Sequence, residues 1–289
     1  MQISGSTRVF MVIGDPITQV QAPALFNPVF RRFDIDAVLV PAHVRAGQAP
    51  EFARHVLQAG NIDGLWVTVP HKPALLPLLA GVDRHARIAG SVNAVRRHSD
   101  GTLQGGLFDG TGLVSALRHV GIEPQGLRVL LVGTGGAGAA IAAALLDSGV
   151  ASLALQDLGR RADELAARLQ AARAAEGLGC APLLTGPRID LASQDLVIHA
   201  TPLGLKPDDP LPIDVSRLSP GTKVYDILMK TCATPLLRAC AAHGIEAHAG
   251  FEMLVQQVPD YLGFFGLHDA AAALRGDLVE VRRSVGTLP

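Results

Sequence analysis

The segment VLLVGTGGAGAAIAAALL, residues 129–146, constrains the fold of this chain more than any other segment. Four apolar residues typical of a buried strand lead into a glycine turn, and an alanine-rich helix leads out of it. Three glycines satisfy the spacing G-x-G-x-x-G, in which missing side chains let a pyrophosphate approach the backbone and the first helical amides. We therefore expect a Rossmann-type dinucleotide site, with a tight turn that binds no ligand as the alternative. The predicted cofactor-binding residues of this turn are Gly133, Gly135, Gly136, Ala137 and Gly138.

The next predicted strand, SLALQD, ends in Asp157, 24 residues after Gly133. An acidic side chain about 20 residues after the first glycine accepts hydrogen bonds from the ribose hydroxyls, and its charge repels the extra phosphate of NADP. Asp157 therefore favours NAD as the cofactor. Arg160 and Arg161 follow at once, and either guanidinium could instead clamp that phosphate and select NADP. The two arginines could also be solvated residues of a first helical turn.

Short β-branched runs alternate with longer helical patterns along the chain, which is typical of parallel α/β architecture. Strands are predicted at Arg8–Gly14, Asp36–Val44, Leu65–Pro70, Asp195–Thr201, Lys223–Met229 and Ile245–Gly250. Asp100 and Gly101 predict the turn of a hairpin, and Gly60 predicts a left-handed end for the helix before it. Thr234 and Pro235 predict the N-cap and first residue of another helix. Since 289 residues exceed the usual size of one hydrophobic core, two domains are expected.

The composition fits a globular protein that binds a small molecule. Hydrophobic residues make up 48% and charged residues 18%, and the net charge of −1 comes without a long basic or acidic block. Neither a nucleic-acid surface nor a membrane-surface helix is therefore expected. No run of 18 apolar residues and no secretory signal pattern occurs, which predicts a soluble, cytoplasmic protein. The three cysteines predict small, at least partly buried side chains, and no metal site is predicted.

The segment GLWVTVPHK, residues 64–72, ends in a lysine between two apolar stretches. Lysine is rare here, because only four of the 25 lysines and arginines are lysines. An amine can give up a proton whereas a guanidinium keeps it. Lys72 is therefore a candidate acid–base residue, although the residues alone leave open a surface lysine at the start of a helix.

Short motifs run in a fixed order along nearly the whole chain: GDPI, VTVPHK, AGSVNAV, DGTG, GTGGAG, ATPLG, VYDIL with TPLL, and GFEMLVQQ. In this combination the chain resembles the shikimate/quinate dehydrogenases. The resemblance implies a substrate-binding α/β domain in residues 1–110, completed by helices in residues 251–289. It implies a Rossmann NAD(P)-binding domain in residues 111–250, with the active site in a cleft between the domains. The implied activity is reversible hydride transfer between NAD(P) and a secondary alcohol or ketone on a cyclic hydroxy acid such as shikimate or quinate.

The resemblance also assigns roles to individual residues. Lys72 and Asp109 match the family's acid–base pair, in which a desolvated amine beside a carboxylate accepts the hydroxyl proton as hydride leaves. The resemblance further implies substrate contacts by Thr68, Asn93 and Gln257 and cofactor contacts by Thr201, Pro202 and Gly250. Asn93 could instead cap a loop, and Gln257 could be an exposed helical side chain.

The chain departs from the family pattern where that pattern holds the substrate. Val20 and Ala22 replace a Ser-x-Ser that binds the substrate carboxylate, Leu107 and Phe108 replace an Asn-Thr pair, and Met229 replaces a tyrosine. Loss of paired donors from a site that hydrogen-bonds its substrate typically costs orders of magnitude in selectivity. We therefore expect an altered substrate pocket.

The sequence leaves the substrate and two other functions open. Gln19, Gln21 and Lys230 adjoin the changed positions and are candidates to hold a carboxylate, while a less polar ring alcohol fits equally well. Gln21 and Met229 are predicted substrate contacts. A nucleotide-binding regulatory protein that has lost turnover is one alternative function, and a methylene-tetrahydrofolate dehydrogenase is another. A monomer or homodimer is expected.

Overall fold

The computed structural model describes residues 3–186, 189–206, 208–230 and 232–284. The chain forms two compact units. The N-terminal unit takes the chain up to Phe108 and again from Val255 onward, and the central unit is Asp109–Leu254. Each unit is built on its own sheet. The functional names predicted for the two domains stay predictions.

Strands and helices alternate through much of the chain, and the described segment after β12 is helical. The strands are β1 Arg8–Gly14, β2 Ala37–His43, β3 Ile62–Val67, β4 Gly81–Val82, β5 Ala94–Arg97, β6 Leu103–Gly106, β7 Arg128–Val132, β8 Ser152–Gln156, β9 Leu183–Thr185, β10 Leu196–His199, β11 Lys223–Asp226 and β12 Glu246–Ala249. The helices are α1 Ala22–Arg32, α2 Ala49–Val56, α3 Arg84–Ala89, α4 Asp109–His119, α5 Gly136–Asp147, α6 Arg161–Ala175, α7 Pro235–Ala242, α8 Phe251–Gln256, α9 Val258–Phe264, α10 His268–Arg275 and α11 Val279–Ser284.

The sheet of the N-terminal unit has the strand order β2-β1-β3-β5-β6-β4. β1 pairs in parallel with β2 and β3, whereas β5 pairs antiparallel with β3 and β6. The predicted hairpin is confirmed: Gly101 turns the chain with φ +85°, and Asp100 Oδ1 accepts a hydrogen bond from the Thr102 amide at 2.9 Å. A positive φ favours glycine, which is why an Asp-Gly pair predicts this turn.

A cluster of aromatic rings, called the aromatic cluster below, fills the core of the N-terminal unit. Its members are Phe10, Phe26, Phe30, Trp66, Tyr261 and Phe265. Trp66 of β3 stacks on Phe265 with ring centroids 4.2 Å apart and on Tyr261 of α9 at 5.2 Å. Each such pair adds about 0.5–1.5 kcal/mol beyond the area that it buries. The segment after Val255 therefore completes the core of this unit.

The sheet of the central unit has the order β12-β11-β10-β7-β8-β9, and its strand pairs are all parallel. β7 lies between β8 and β10, so the chain leaves the first strand to one side and later returns on the other. Ligands of such sheets bind at this reversal point, outside the carboxyl ends of the strands. The apolar residues of β7 and most of α5 are buried, as the pattern of residues 129–146 predicts.

Two predicted strands end three residues too late. β3 ends at Val67 rather than Pro70, because the chain then turns and the His71 amide donates to the Thr68 carbonyl oxygen at 2.9 Å. β11 ends at Asp226, short of its predicted end. The Asp226 carboxylate accepts a hydrogen bond from the amide two residues further on at 3.1 Å, which closes a local turn. Side chains that hydrogen-bond nearby amides compete with strand pairing in this way.

The predicted C-terminal end of α2 is wrong, whereas the predicted N-cap of α7 is confirmed. α2 ends at Val56, with Leu57 as a right-handed C-cap, and Gly60 does not adopt the left-handed conformation. Short-range backbone hydrogen bonds within residues 53–59 end α2 before Gly60. Thr234 is the N-cap of α7, and its hydroxyl oxygen accepts a hydrogen bond from the Leu237 amide at 3.2 Å.

The cysteines differ in exposure. Cys180 and Cys232 are exposed, so the prediction of at least partly buried side chains is wrong for both. Cys240 is buried in the central unit, and that burial raises the pKa of its thiol to about 11. Among the residues that the structure describes, no helix is long and apolar enough to cross a membrane.

Candidate active site

The glycine turn between β7 and α5 has space for a ligand beside its backbone. Gly133 adopts φ +102°, and a Cβ on Gly138 would lie 2.0 Å from the Gly133 carbonyl oxygen. A Cβ on Gly135, in contrast, would meet no described atom within 4 Å. α5 begins at Gly136, and its N-cap Gly135 has no side chain to bond the first amides. These amides are therefore left for a ligand, and the turn fits the pyrophosphate of a dinucleotide.

Asp157, at the end of β8, is tied to the glycine turn. Its Oδ2 accepts hydrogen bonds from the amide and the hydroxyl of Thr134, both at 2.7 Å, and its Oδ1 accepts one from the Leu158 amide at 2.6 Å. Burial alone would raise the pKa of Asp157, but these hydrogen bonds and the nearby Arg161 guanidinium hold that pKa below its usual range. The carboxylate is therefore ionised at neutral pH, and it retains lone pairs for a further donor.

A cavity of about 590 Å³ opens beside Asp157 and is called the Asp157 cavity below. Residues that follow β8 and residues from 211–217 form much of its wall. The lining includes Asp157, Asp163, Ile189, Leu211, Asp214 and Arg217. The volume is that of a small-molecule site, and the lining contains more carboxylates than cations. Sequence reasoning missed the 211–217 segment, because nothing in its pattern marks it as part of a site.

The loop after β10 packs directly against the glycine turn. A Cβ on Gly133 would lie 2.6 Å from the Ala200 carbonyl and 2.8 Å from Thr201 Cγ2. The structure thus brings Thr201 of the predicted ATPLG motif to the turn, with Pro202 next to it in the chain. At position 250 a glycine is required by packing within the central unit, since a Cβ on Gly250 would lie 2.4 Å from the Ile227 carbonyl group. Cofactor contacts by all three motif residues stay predictions.

Asp109 is the first residue of α4 and is only 6% exposed. A helix N-terminus stabilises a negative charge, which explains how a mostly buried aspartate is accommodated there. The following Gly110 allows α4 to pack closely on α5, because a Cβ on it would lie 2.3 Å from the Ala140 carbonyl oxygen. Asp109 is therefore carried by a helix that is fixed against the helix of the glycine turn.

In the N-terminal unit, Lys72 follows a turn that is held at both ends. His71 is buried, and its Nε2 lies 2.7 Å from the Val44 carbonyl oxygen. The Lys72 carbonyl oxygen accepts a hydrogen bond from the Val92 amide at 3.0 Å. Lys72 itself is half-buried, as is Thr68 at the start of the turn. The backbone of Lys72 is therefore fixed beside the segment that leads to Asn93.

Asn93 and Gln257 are brought together although 164 residues separate them in the chain. Asn93 Nδ2 donates to Gln257 Oε1 at 3.4 Å, and Asn93 Oδ1 accepts a hydrogen bond from the Phe108 amide at 3.1 Å. Both side chains are 2% exposed. The alternative of an exposed helical side chain for Gln257 is therefore wrong. Contact of these two amides with a substrate stays a prediction.

Two of the changed positions pack within the N-terminal unit, Leu107 in its core and the half-buried Phe108 beside the aromatic cluster. Leu107 is 1% exposed. The Phe108 ring meets Tyr261 and Phe264 edge to face, with centroids 5.0 and 5.6 Å away. The pair that replaces Asn-Thr thus adds apolar packing around the aromatic cluster, a role that one sequence could not distinguish from pocket lining.

The candidates for holding a carboxylate have other partners. Gln19 Nε2 donates to the Pro16 carbonyl oxygen at 2.8 Å, and Gln21 Nε2 makes a long bond of 3.4 Å to the Gln19 carbonyl oxygen. In the central unit, Lys230 Nζ donates to the carbonyl oxygens of residues 204 and 205, both at 3.1 Å. Met229 beside it is 39% exposed. Of this set, Gln21 has the weakest competing bond.

Comparison with known proteins gives the family. Residues 12–95 match the family model described as the shikimate dehydrogenase substrate binding domain. The chain is 35% identical to the shikimate dehydrogenase (NADP(+)) of Rubrobacter xylanophilus over 262 residues, which cover 89% of each chain. The chain belongs to the shikimate dehydrogenase family. This confirms both the resemblance and the predicted enzyme class, an NAD(P)-dependent dehydrogenase that acts on a CH–OH group.

Solved structures of the shikimate dehydrogenase family have the same fold. The shikimate dehydrogenase of Aquifex aeolicus matches with a TM-score of 0.83 and 24% identity, over 99% of this chain and 100% of that one. The quinate dehydrogenase of Corynebacterium glutamicum, in complex with NAD, matches with a TM-score of 0.78 and 27% identity, over 96% and 98%. The predicted α/β fold, with an N-terminal α/β domain and a Rossmann-type domain, is confirmed.

Proposed function

We propose that this member of the shikimate dehydrogenase family transfers hydride reversibly between NAD and a ring compound related to shikimate or quinate. The reacting group is a secondary alcohol or its ketone. The observation that carries the proposal is the open glycine turn, where a Cβ on Gly135 would meet no described atom within 4 Å. Packing within the described protein does not require a glycine at this position, whereas the approach of a pyrophosphate does.

Lys72 and Asp109 are the acid–base residues of the proposed reaction. The nicotinamide ring supplies the hydride acceptor when the dinucleotide is bound. As the carbon–hydrogen bond of the alcohol breaks, Lys72 Nζ accepts the hydroxyl proton, and it returns that proton in the reverse direction. Asp109, in this proposal, holds the ammonium form in place. The fixed backbone of Lys72 supports this role, because proton transfer requires a donor and acceptor within hydrogen-bond reach.

Asp157 supports NAD rather than NADP as the preferred cofactor. The residue is ionised and half-buried, and three protein hydrogen bonds keep it at the glycine turn. A negative charge there accepts a ribose hydroxyl and repels a 2′-phosphate. The Rubrobacter relative is named for NADP(+), whereas the Corynebacterium structure contains NAD. Arg161, on the exposed first turn of α6, is the residue that would favour NADP.

The substrate side of the proposal is an altered pocket. Val20 and Ala22 offer no hydroxyl donors, and Met229 offers none either. Asn93 and Gln257 remain as a buried amide pair, and Thr68 and Gln21 provide further polar groups near the segments that the family uses. We therefore expect a ring substrate whose carboxylate, where present, is bound less tightly than a paired-hydroxyl site would bind it.

A nicotinamide absorbance assay tests the proposal. Shikimate, quinate and less oxygenated ring alcohols are each offered with NAD and with NADP. Lys72→Met should lower kcat by about 10²- to 10⁴-fold, the range that acid–base catalysis contributes. Lys223→Met is the matched control, because Lys223 forms an ion pair with Glu246 at 3.2 Å on the surface of the central unit.

The outcomes separate the alternatives. Turnover that is lost in Lys72→Met and kept in Lys223→Met supports the assigned role. Undiminished turnover in Lys72→Met removes this residue from the mechanism. Dinucleotide binding without turnover of any ring alcohol would favour the regulatory protein instead.

A further inference from the structure

His199 and Asp226 are two fully buried ionisable side chains that the proposed reaction does not use. Each is 0% exposed, and His199 Nδ1 lies 3.0 Å from Asp226 Oδ1. They are the last residues of β10 and β11 and stand opposite each other in the parallel register. Across the other edge of β10, His199 is opposite Val132, the residue before the glycine turn. The pair therefore lies at the carboxyl ends of the strands where the strand order reverses.

The partners of Asp226 determine which nitrogen of His199 carries the proton. Asp226 Oδ2 accepts a hydrogen bond from the Thr234 hydroxyl at 2.5 Å, and Oδ1 accepts one from the Leu228 amide at 3.1 Å. An ionised carboxylate only accepts hydrogen bonds. Nδ1 of His199 is therefore the protonated nitrogen that donates to Asp226. In the neutral ring this leaves Nε2 as an acceptor.

The second ring nitrogen of His199, Nε2, orients the hydroxyl group of Thr201. Nε2 lies 2.6 Å from Thr201 Oγ1, and the same oxygen is 3.1 Å from the Leu203 amide. The Leu203 amide can only donate, so Thr201 Oγ1 accepts from it. Because Nε2 carries no proton in this tautomer, the Thr201 hydroxyl donates its own proton to Nε2. Both functions of the Thr201 hydroxyl are thereby fixed. Asp226, His199 and Thr201 form a relay of hydrogen bonds from the core to the loop at residues 201–204.

That loop touches the glycine turn. Thr201 Cγ2 and the Ala200 carbonyl lie within 2.8 Å of where a Cβ on Gly133 would be. The far end of the loop is held separately, because Asp209 Oδ2 accepts hydrogen bonds from the amides of Gly204 and Lys206, both at 2.9 Å. His199 is the anchor at the near end. A shift of Thr201 would therefore change the space beside the backbone of the turn.

We propose that His199 is a positioning residue for the dinucleotide site, and that it acts by holding Thr201 and its loop against the glycine turn. The inference rests on the proposed function, since it assumes that this turn binds a dinucleotide. A stability role alone does not explain why the hydrogen bonds continue from the buried His199–Asp226 pair to the Thr201 hydroxyl beside the glycine turn. The relay instead supplies a defined hydroxyl orientation where the ligand approaches.

Binding of NAD to the full chain, measured by calorimetry in the absence of ring substrate, tests the inference. His199→Leu should weaken NAD binding roughly tenfold, the effect of about one hydrogen bond to the positioned group. His199→Gln should restore most of the affinity, because its amide oxygen can accept from Thr201 in place of Nε2. Thr201→Val should match His199→Leu, and the double variant should lose no more than either single variant.

Thr222→Val is the matched control. Thr222 is a buried threonine whose hydroxyl donates to the Gln194 carbonyl oxygen at 2.8 Å, at the amino end of β11. This variant should lose stability and keep its affinity for NAD. Additive losses in the double variant, or an unchanged affinity in His199→Leu, would overturn the inference.

A spectroscopic measurement tests the inference where His199→Leu fails to fold. The nitrogen chemical shifts of His199 in the unmodified protein should show the proton on Nδ1 rather than on Nε2. The opposite tautomer would contradict the relay. Absence of NAD and NADP binding in the unmodified protein would refute the proposed function itself, which distinguishes that failure from failure of the positioning role.

Discussion

The two units present polar groups by different means. In the central unit, the glycine turn offers backbone amides, and a Cβ on Gly138 would collide with the backbone of Gly133. In the N-terminal unit, the side chains of Asn93 and Gln257 meet in the buried interior. A site made from backbone tolerates few substitutions, whereas a site made from side chains changes with each one. The departures at positions 20 and 22 lie in the N-terminal unit, while the GTGGAG motif is intact.

The cores of the two units also differ in the size of their side chains. All the aromatic residues except Tyr225 and Phe251 belong to the N-terminal unit. The core of the central unit consists mainly of leucine, valine, isoleucine and alanine, and α5 is largely alanine. Small side chains permit the close backbone approaches that the glycine turn requires. Large rings instead fix the positions of neighbouring polar side chains by filling the space around them.

The largest expected effect comes from the aromatic cluster. Phe265→Ala should lower the free energy of unfolding of the N-terminal unit by about 3–5 kcal/mol, because it removes a ring that stacks on Trp66. Chemical denaturation followed by tryptophan fluorescence reports on this unit, since Trp66 is the single tryptophan. Phe33→Ala, at a half-exposed ring, should cost much less. Equal losses of unfolding free energy in the two variants would contradict a dominant contribution of the aromatic cluster to the stability of this unit.

A smaller effect is expected at the open glycine of the central unit. Gly135→Ala should leave the thermal midpoint unchanged, because the new Cβ meets no described atom within 4 Å, yet it should weaken NAD binding about tenfold or more. Gly221→Ala is the control, since Gly221 is also open and lies at the amino end of β11. Unchanged NAD affinity in Gly135→Ala would contradict binding of the cofactor at this turn.

The smallest of these effects concerns cofactor choice. Asp157→Asn should shift the ratio of the kcat/KM values for NAD and NADP toward NADP by about tenfold, or 1.4 kcal/mol, because the charge that repels a 2′-phosphate is gone. The folded-state pKa of Asp157 is lowered. The ionised Asp157 therefore stabilises the folded protein at pH values above the unfolded-state pKa of about 3.9. This contribution to the free energy of unfolding is lost as the pH falls through the folded-state pKa.

Cofactor preference should consequently be constant across neutral pH in the unmodified protein. Steady-state kinetics with both cofactors at several pH values checks this expectation. A preference for NADP that Asp157→Asn leaves unchanged would instead assign the selection to Arg161 on α6.

Local patterns in the sequence predicted those parts of the fold that depend on local conformation. Gly101 and Thr234 occupy positions where one backbone angle or one cap decides the outcome, and both predictions are confirmed. Gly60 shows the limit of such rules, because α2 had already closed with Leu57 as its cap. The glycine turn was predictable because its three glycines, strand and helix are contiguous in the chain.

Contacts between distant segments were not predictable in this way. His199 and Asp226 are 27 residues apart and meet only through the register of two parallel strands. The burial of Gln257, the N-cap residue of α9, depends on how that helix packs against the rest of the N-terminal unit. Residues 211–217, which line part of the Asp157 cavity, have the sequence pattern of an ordinary loop. Family resemblance supplied the roles of Lys72 and Asp109, which composition and spacing alone left open.

Transfer of a labelled hydrogen tests the central claim most directly. The ring alcohol that the absorbance assay identifies is prepared with deuterium on its carbinol carbon and incubated with NAD and the full chain. The account predicts deuterium on the nicotinamide ring of the reduced cofactor, at a rate that falls sharply in Lys72→Met. Conversion of the alcohol without deuterium in the cofactor would contradict it.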